Sequence, residues 1–377
     1  MEIDFLKAEH GDCILISYIF DSKKRNILID TGTRNTYLEQ NGNRKGDGAL
    51  KKKIKALKLL GEKIDLLIIT HVDNDHIGGV IKWFLAREFD KNMIGKIWFN
   101  SGKLIHEYLK FHGLIWSSNE YSMTLKDYNY QYNRFYDNSL KFIYSDNGLT
   151  STKDGVTFEK KIVEWDLWDK KLIVTGNEYT KFGANFKILS PTKSRLVKLL
   201  KKWETENPNS TTSSTMKNKQ KEDYLTNLID FDTKKFKQNR QIHNGSSISF
   251  ILEINNKKML FLADSFPSDI CKSLDNLGFN CDKRLSVEFV KLSHHGSREN
   301  TNLQLLNLIN TKKYVISSNG KKHGHPNKVI FARILEKDDT SSIYFNYDLK
   351  SKIFTSQDYV DYPKLKENIF STEELTI

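Results

Sequence analysis

Cysteine is scarce in this chain of 377 residues: Cys13, Cys271 and Cys281 are an odd number at unrelated spacings. That argues against a disulfide framework and against a cysteine-built zinc site. Long apolar runs are missing too, and none approaches the roughly 18 residues of a membrane span. The opening MEIDFLKAEHGD carries acids where a signal peptide has a basic and then an apolar stretch. No internal repeat is evident. These absences lead to the expectation of a soluble, cytoplasmic protein with no membrane association. Enough remains to build a core, since 38% of residues are hydrophobic and 12% aromatic.

Charge is not balanced. Lys and Arg number 59 against 47 Asp and Glu, a net charge of +12. Such an excess favours polyanionic partners through long-range attraction. A chain rich in Lys, Asn and Ile reaches the same excess by composition alone, so both readings stand at this point. The run KKKIKALK at 51–58 reads as the solvated face of a helix.

The segments MEIDFLKA, CILISYIF and KRNILIDTG cluster β-formers between the turns EHGD and DSKK, which predicts an opening meander. A helix is expected over 48–60, with Leu50, Ile54, Leu57 and Leu60 at helical spacing before a glycine stop. A strand follows at 64–69, then a helix after the two glycines, then the strand KIWFN. Five more strand-like runs (SSISFILEI, KMLFLAD, EFVKLSHHG, KYVISSN, SIYFNY) lie further on, with helices near 302–309 and 327–336. Alternation of this kind is an α/β signature. Residues 1–100 and 241–377 therefore read as two regular halves. Between them, 101–240 reads as a long insertion, basic and partly flexible, with a low-complexity stretch at 207–222. It carries 24 Lys and Arg against 17 Asp and Glu. Its aromatics Tyr128, Tyr130, Tyr132 and Phe135 would either stack bases or pack inside the insertion.

The chemistry concentrates at strand ends. In THVDNDHIGG, the residues His71, Asp73, Asp75 and His76 follow the apolar run IDLLII. Mixed nitrogen and oxygen ligands at this spacing can serve two nearby metal sites. Gly78 and Gly79 would let the next helix approach closely. Capping of that helix is the plainer use of the same residues. Three later stretches join the first: FLADS with Asp264, VKLSHHGS with His294 and His295, and SSNGKKHGHPN with His323 and His325. Six of the ten histidines thus lie at three strand ends.

The ordered series HGDCILI, LIDTG, THVDNDHIGG, NGSSISFILE, LFLADS, KLSHHGS and SSNGKKHGHPN resembles the metallo-β-lactamase fold hydrolases. More narrowly, it is similar to the hydrolase domain of the ComEC DNA-uptake competence proteins and their stand-alone relatives. The likeness covers about 1–100 and 241–360. It implies a four-layer αββα sandwich with a long insertion and a site holding two divalent metal ions, Zn or Mn. His71 and Asp73 would serve one metal and Asp75 and His76 the other, with Asp264 bridging. His294 is the ligand expected to complete the second site, with Asp75 and His76, and His295 is its alternative, while His243 is the candidate for the usual third-motif ligand. Asp30 and Asp12 would support the site from behind the ligands. Asp73 stands where many members of the wider fold family have histidine, as it does in many ComEC-like ones, whereas KAEHGDC departs from the ComEC-type DVGQGDA.

The leading expectation is a binuclear metal-dependent phosphodiesterase, most specifically a nuclease acting on DNA or RNA. Asp75 would orient a metal-activated water, and His325 would steady the phosphate or protonate the leaving group. Ser297 and Asn319 are weaker candidates for phosphate contact. One alternative keeps the metals but cleaves a small phosphodiester, phosphocholine ester or lactone. Another is a metal-stabilised, non-catalytic subunit with protein partners in a multi-component defence complex.

Overall fold

The structure is a computed structural model that describes residues 1–41, 44–111, 151–205 and 221–377. Fourteen strands form its two large sheets. In the first sheet are β1 (Glu2–Phe5), β2 (Ile14–Phe20), β3 (Lys23–Ile29), β4 (Ile64–Ile68) and β5 (Ile94–Trp98). The second sheet contains β6 (Glu178–Lys181), β7 (Ala184–Ser190), β8 (Ser249–Ile254), β9 (Lys257–Phe261) and β10 (Val290–Lys291). It continues with β11 (Lys313–Ile316), β12 (Ser342–Phe345) and β13 (Ile369–Ser371). The last strand, β14 (Glu374–Thr376), returns to pair with β1. Strand order is β14-β1-β2-β3-β4-β5 in one sheet and β13 through β6, in sequence, in the other.

Three cores separate four layers. Ile14, Ile16, Ile27, Ile29, Leu66 and Ile68 of the first sheet meet Phe186, Phe250, Leu252, Phe261 and Val315 of the second. On the outer face of the first sheet, Leu15, Leu28, Leu67 and Ile69 pack under helices. These are α1 (Ala49–Leu59), α2 (Asn74–Phe84), α3 (Ser151–Glu164) and α4 (Lys193–Thr205). On the outer face of the second, Leu260, Val290 and Tyr314 lie under α5 (Pro267–Asn276) and α6 (Val329–Lys337). Strands covered on both faces need apolar residues at successive positions, which is why CILI and LLII are unbroken rather than alternating. This is the expected αββα sandwich.

Local expectations meet the structure with a few shifts. Helix α1 buries Leu50, Ile54 and Leu57 and turns its lysines outward, but Leu60 is 68% exposed. Gly61, at φ +67, leaves the helix through the left-handed region, and Leu60 falls just past its end. Helix α2 begins at Asn74, inside the polar motif rather than after the glycines. Residues 178–190, expected as insertion, supply β6 and β7, which extend the second sheet beyond β8. Val156, Phe158, Leu199 and Trp203, also from the expected insertion 101–240, are buried in the first outer core. The aromatics Tyr128, Tyr130, Tyr132 and Phe135 lie outside the described residues, as does 207–220. Among the described residues, no helix is long and apolar enough to cross a membrane.

The parallel strands aim the chemistry. Strands β3 and β4 run parallel, as do β9, β10 and β11. The polar residues follow the carboxyl ends of these five strands, where α/β folds commonly hold their ligands.

Candidate metal centre

Asp264 follows β9 and is 2% exposed. Its two oxygens face two sets of histidines. Oδ2 lies 3.7 Å from His71 Nε2 and 3.6 Å from His294 Nε2. Oδ1 lies 3.4 Å from His76 Nε2 and 3.9 Å from His295 Nε2. Asp73 Oδ2 approaches His71 Nε2 at 3.7 Å on the first side, and Asp75 Oδ2 approaches His295 Nε2 at 3.4 Å on the second. The pocket is therefore two half-sites sharing one carboxylate.

The other ring nitrogen of each histidine is held by the scaffold. His76 Nδ1 lies 2.8 Å from Asp30 Oδ2, which also accepts from the Thr70 hydroxyl at 2.7 Å. His71 Nδ1 sits 3.1 Å from that same hydroxyl oxygen. His295 Nδ1 meets the Ser317 carbonyl at 3.1 Å, and His294 Nδ1 meets Asn300 Oδ1 at 3.0 Å. Ring protons assigned to satisfy these contacts sit on Nδ1. Nε2 of each ring is then the nitrogen that faces Asp264, the arrangement by which outer partners prepare metal-binding imidazoles.

Several inward atoms are orphans. His71 Nε2, His76 Nε2, His295 Nε2 and Asp264 Oδ1 are buried and have no hydrogen-bond partner. Leaving such a group unsatisfied costs about 1–3 kcal/mol, and four together in one pocket call for a ligand. A divalent cation fits this donor set. His71, His76 and Asp264 can converge on one point, as can Asp75, His76 and His295. Asp12, Asp30 and His76 also cluster. That third group meets His76 through Nδ1, which Asp30 already occupies, so it supports the ring rather than seating a metal.

Local backbone geometry builds the pocket. Asp73 stands at the N-cap position of α2, yet its side chain makes no capping bond. Instead Asp73 Oδ1 lies 2.9 Å from His243 Nδ1. The plainer capping role is thus not what this carboxylate does. A Cβ on Gly79 would sit 2.1 Å from the Thr31 carbonyl oxygen, and one on Gly11 would sit 1.9 Å from that of Asp75. Both glycines permit the close approach that seats His76 and Asp75. His294 and His295 both occupy the left-handed region, at φ 48 and 54. Two such residues in succession throw their rings to opposite sides of Asp264. Of the two candidates it is His295 that stands with Asp75 and His76, while His294 faces the His71 half.

Charge follows geometry. Burial works against ionisation of Asp264, but His294, His76 and His295 outweigh it and hold the carboxyl well below the usual range. Burial also opposes a charged His295, yet Asp264 and Asp12 prevail and raise it to about 9. Asp75 is pulled down against burial, chiefly by His295 and His76. Farther out, burial pushes His10 down to about 4 and His325 well below the ordinary range, the latter helped by neighbouring His294 and His295. The His325 ring meets His294 edge-on at 4.7 Å, and the His10 and His323 rings are 5.6 Å apart.

Remaining candidates have structural partners. Asp12 is sealed beside Lys291, whose Nζ reaches both carboxylate oxygens at 2.8 Å. Ser297 accepts from the Glu299 amide and Asn319 from the Lys321 amide, both turn contacts. Sequence reasoning missed Thr70, Asn300, Lys291 and His10. Only two of these left a signal: a lysine inside the apolar run EFVKLS, and a histidine directly before Gly11 and Asp12.

Fold and pocket define an αββα protein with a candidate metal centre. Residues 9–131 match the model of the metallo-beta-lactamase superfamily. Its members are generally metal-dependent hydrolases that bind divalent metals, often zinc. The match covers the first motif and stops short of Asp264. No curated protein matches the chain. A crystal structure described as a protein of unknown function from Enterococcus faecalis V583 is similar at a TM-score of 0.32 and 9% identity. That similarity spans 98% of this chain and 76% of the other.

Proposed function

We propose that the protein is a two-metal phosphodiesterase, specifically a nuclease. The observation that carries the reading is the convergence of four Nε2 atoms on Asp264, three of them buried without a hydrogen-bond partner. His71, Asp73 and His294 would hold one ion with Asp264 Oδ2, with His243 steadying Asp73. Asp75, His76 and His295 would hold the other with Asp264 Oδ1. When bound, zinc or manganese would supply Lewis acidity toward a phosphoryl oxygen and lower the pKa of water. Carboxylates make up half of each donor set, which suits manganese as well as zinc.

The chain's own residues do the rest. Asp75 is ionised and orients the attacking water. His325 is neutral at ordinary pH, so it serves the phosphate as a hydrogen-bonding group rather than as a stored proton. The net charge of +12 and the likeness of the motifs to ComEC-type hydrolase domains support a nucleic-acid substrate. Three unbridged cysteines suit a cytoplasmic setting.

The test is metal analysis of zinc- and manganese-supplemented protein, followed by assays on DNA, RNA and a chromogenic phosphodiester. A folded protein that takes up no metal would sink the two-metal reading. Turnover of the chromogenic diester alone would move the substrate to a small molecule.

A further inference from the structure

A pocket of about 410 Å³ adjoins the His294 side of the metal centre. Its walls include Arg195, Lys198, Asn239, Arg240, Gly245 and Phe266. The two cavities share a partition: Asn239 Nδ2 lies 3.3 Å from His294 Nδ1, and Phe266 follows Asp264 by two residues. Asn244, next to Gly245, brings its amide to 3.3 Å from His294 Nε2.

Three cations line this space in different ways. Arg195 is fixed: its guanidinium donates twice to Asp269, at 2.7 and 3.2 Å, and lies 4.5 Å over the Phe266 ring. Lys198 and Arg240 are exposed at the rim. Asp269 offsets the charge of Arg195, so the rim cations set the sign of the opening. An anion one step removed from the reacting group would meet them while the reacting group sits at Asp264.

We propose that this pocket seats the phosphate that neighbours the scissile one along a nucleic-acid strand, with Lys198 and Arg240 as its counter-charges. The proposal rests on the nuclease reading. It adds a location and a polarity: the strand leaves the centre past His294, not past Asp75. Asn239, against His294, forms the wall between the two phosphates.

Binding of a labelled single-stranded oligonucleotide with phosphorothioate linkages, which resist cleavage, tests it by anisotropy across a salt series. The Lys198→Ala, Arg240→Ala pair should weaken binding about tenfold at low salt. It should also flatten the log–log salt slope by about 0.7, the value for one phosphate contact on a single strand. A control pair with the same charge change, Lys23→Ala and Lys283→Ala, should stay within about twofold. Equal losses in both pairs, or none in the first, would overturn the pocket while leaving the nuclease reading in place. Wild-type protein that binds no oligonucleotide at any salt would instead remove the nuclease reading, and the pocket's role with it. Melting curves of the pocket variant should match wild type, because both side chains are exposed.

Discussion

Asp30 holds His76 from inside the sandwich: its Oδ2 lies 2.8 Å from His76 Nδ1, on the side away from Asp264. The same carboxylate accepts from the Thr70 amide at 2.8 Å and from the Thr70 hydroxyl at 2.7 Å, and that hydroxyl oxygen sits against His71. One buried acid thus sets the direction of a histidine in each half-site. Its backbone lies in the left-handed region at φ 54, which asparagine tolerates.

Asp30→Asn should therefore fold, yet lose one acceptor of this fan. Metal affinity should drop about 10–100-fold, the usual cost of removing such an outer partner. Competition against a chromogenic chelator measures it. Unchanged affinity would show that the His71 and His76 rings are held by packing alone.

The pH dependence of the metal-free protein has a definite sign. His295 is raised from its ordinary value of 6.5 to about 9 in the folded state. Its stabilisation is then complete below about 6.5 and is lost as pH rises through 9. Metal reverses this, because a ligand must shed its proton. Melting temperature with chelator should fall between pH 6.5 and 9.5, whereas metal-loaded protein should hold level or gain. A metal-free protein that grows more stable over that range would contradict the assignment.

Lys291 and Asp12 form a pair with side chains 1% and 3% exposed. Asp12 also stands 3.4 Å from His295 Nδ1. Lys291→Met would strand a buried carboxylate, at a cost of about 3–5 kcal/mol. Asp12→Asn in the same chain should recover a large part. Denaturant unfolding of the single and double variants gives the coupling, and a single-variant loss under about 1 kcal/mol would mean that water reaches Asp12.

Glycine at 79 is a packing requirement. Gly79→Ala would place a methyl 2.1 Å from the Thr31 carbonyl oxygen, forcing α2 outward and His76 with it. Overpacking of this kind costs about 1–3 kcal/mol, and metal affinity should fall too. Gly46→Ala, with no atom within 4 Å of the added carbon, should be nearly silent. Equal melting temperatures for both variants would show that the α2 contact yields.

The sequence exposed the motifs because strand ends concentrate polar residues against apolar runs. His71, Asp73, Asp75 and His76 stand out after IDLLII for that reason, and Asp264 after LFLA. The choice between His294 and His295 was hidden, since it depends on two consecutive left-handed residues that HHGS does not announce. Strands β6 and β7 were also obscured: they follow a long charged stretch, and the edge position of β6 relaxes its apolar pattern. Thr70 and Asn300 are ordinary polar residues whose value comes only from the ring nitrogens they meet in space.

The shared carboxylate makes the two half-sites separable by mutation. His295→Ala removes a donor from the Asp75 and His76 side, leaving His71, Asp73, His294 and Asp264 Oδ2 in place. His294→Ala does the reverse. Each should reduce a two-metal protein toward one metal per chain and, on the proposed mechanism in which both ions act on one phosphoryl group, cut phosphodiester turnover by about a hundredfold or more. Asp264→Ala removes an oxygen from each side, so both metals should be lost together. Elemental analysis with cobalt spectra of the three variants distinguishes these outcomes. If His294→Ala keeps both metals, the ring serves the pocket wall with Asn239 and Asn300, and His243 must complete the first half-site.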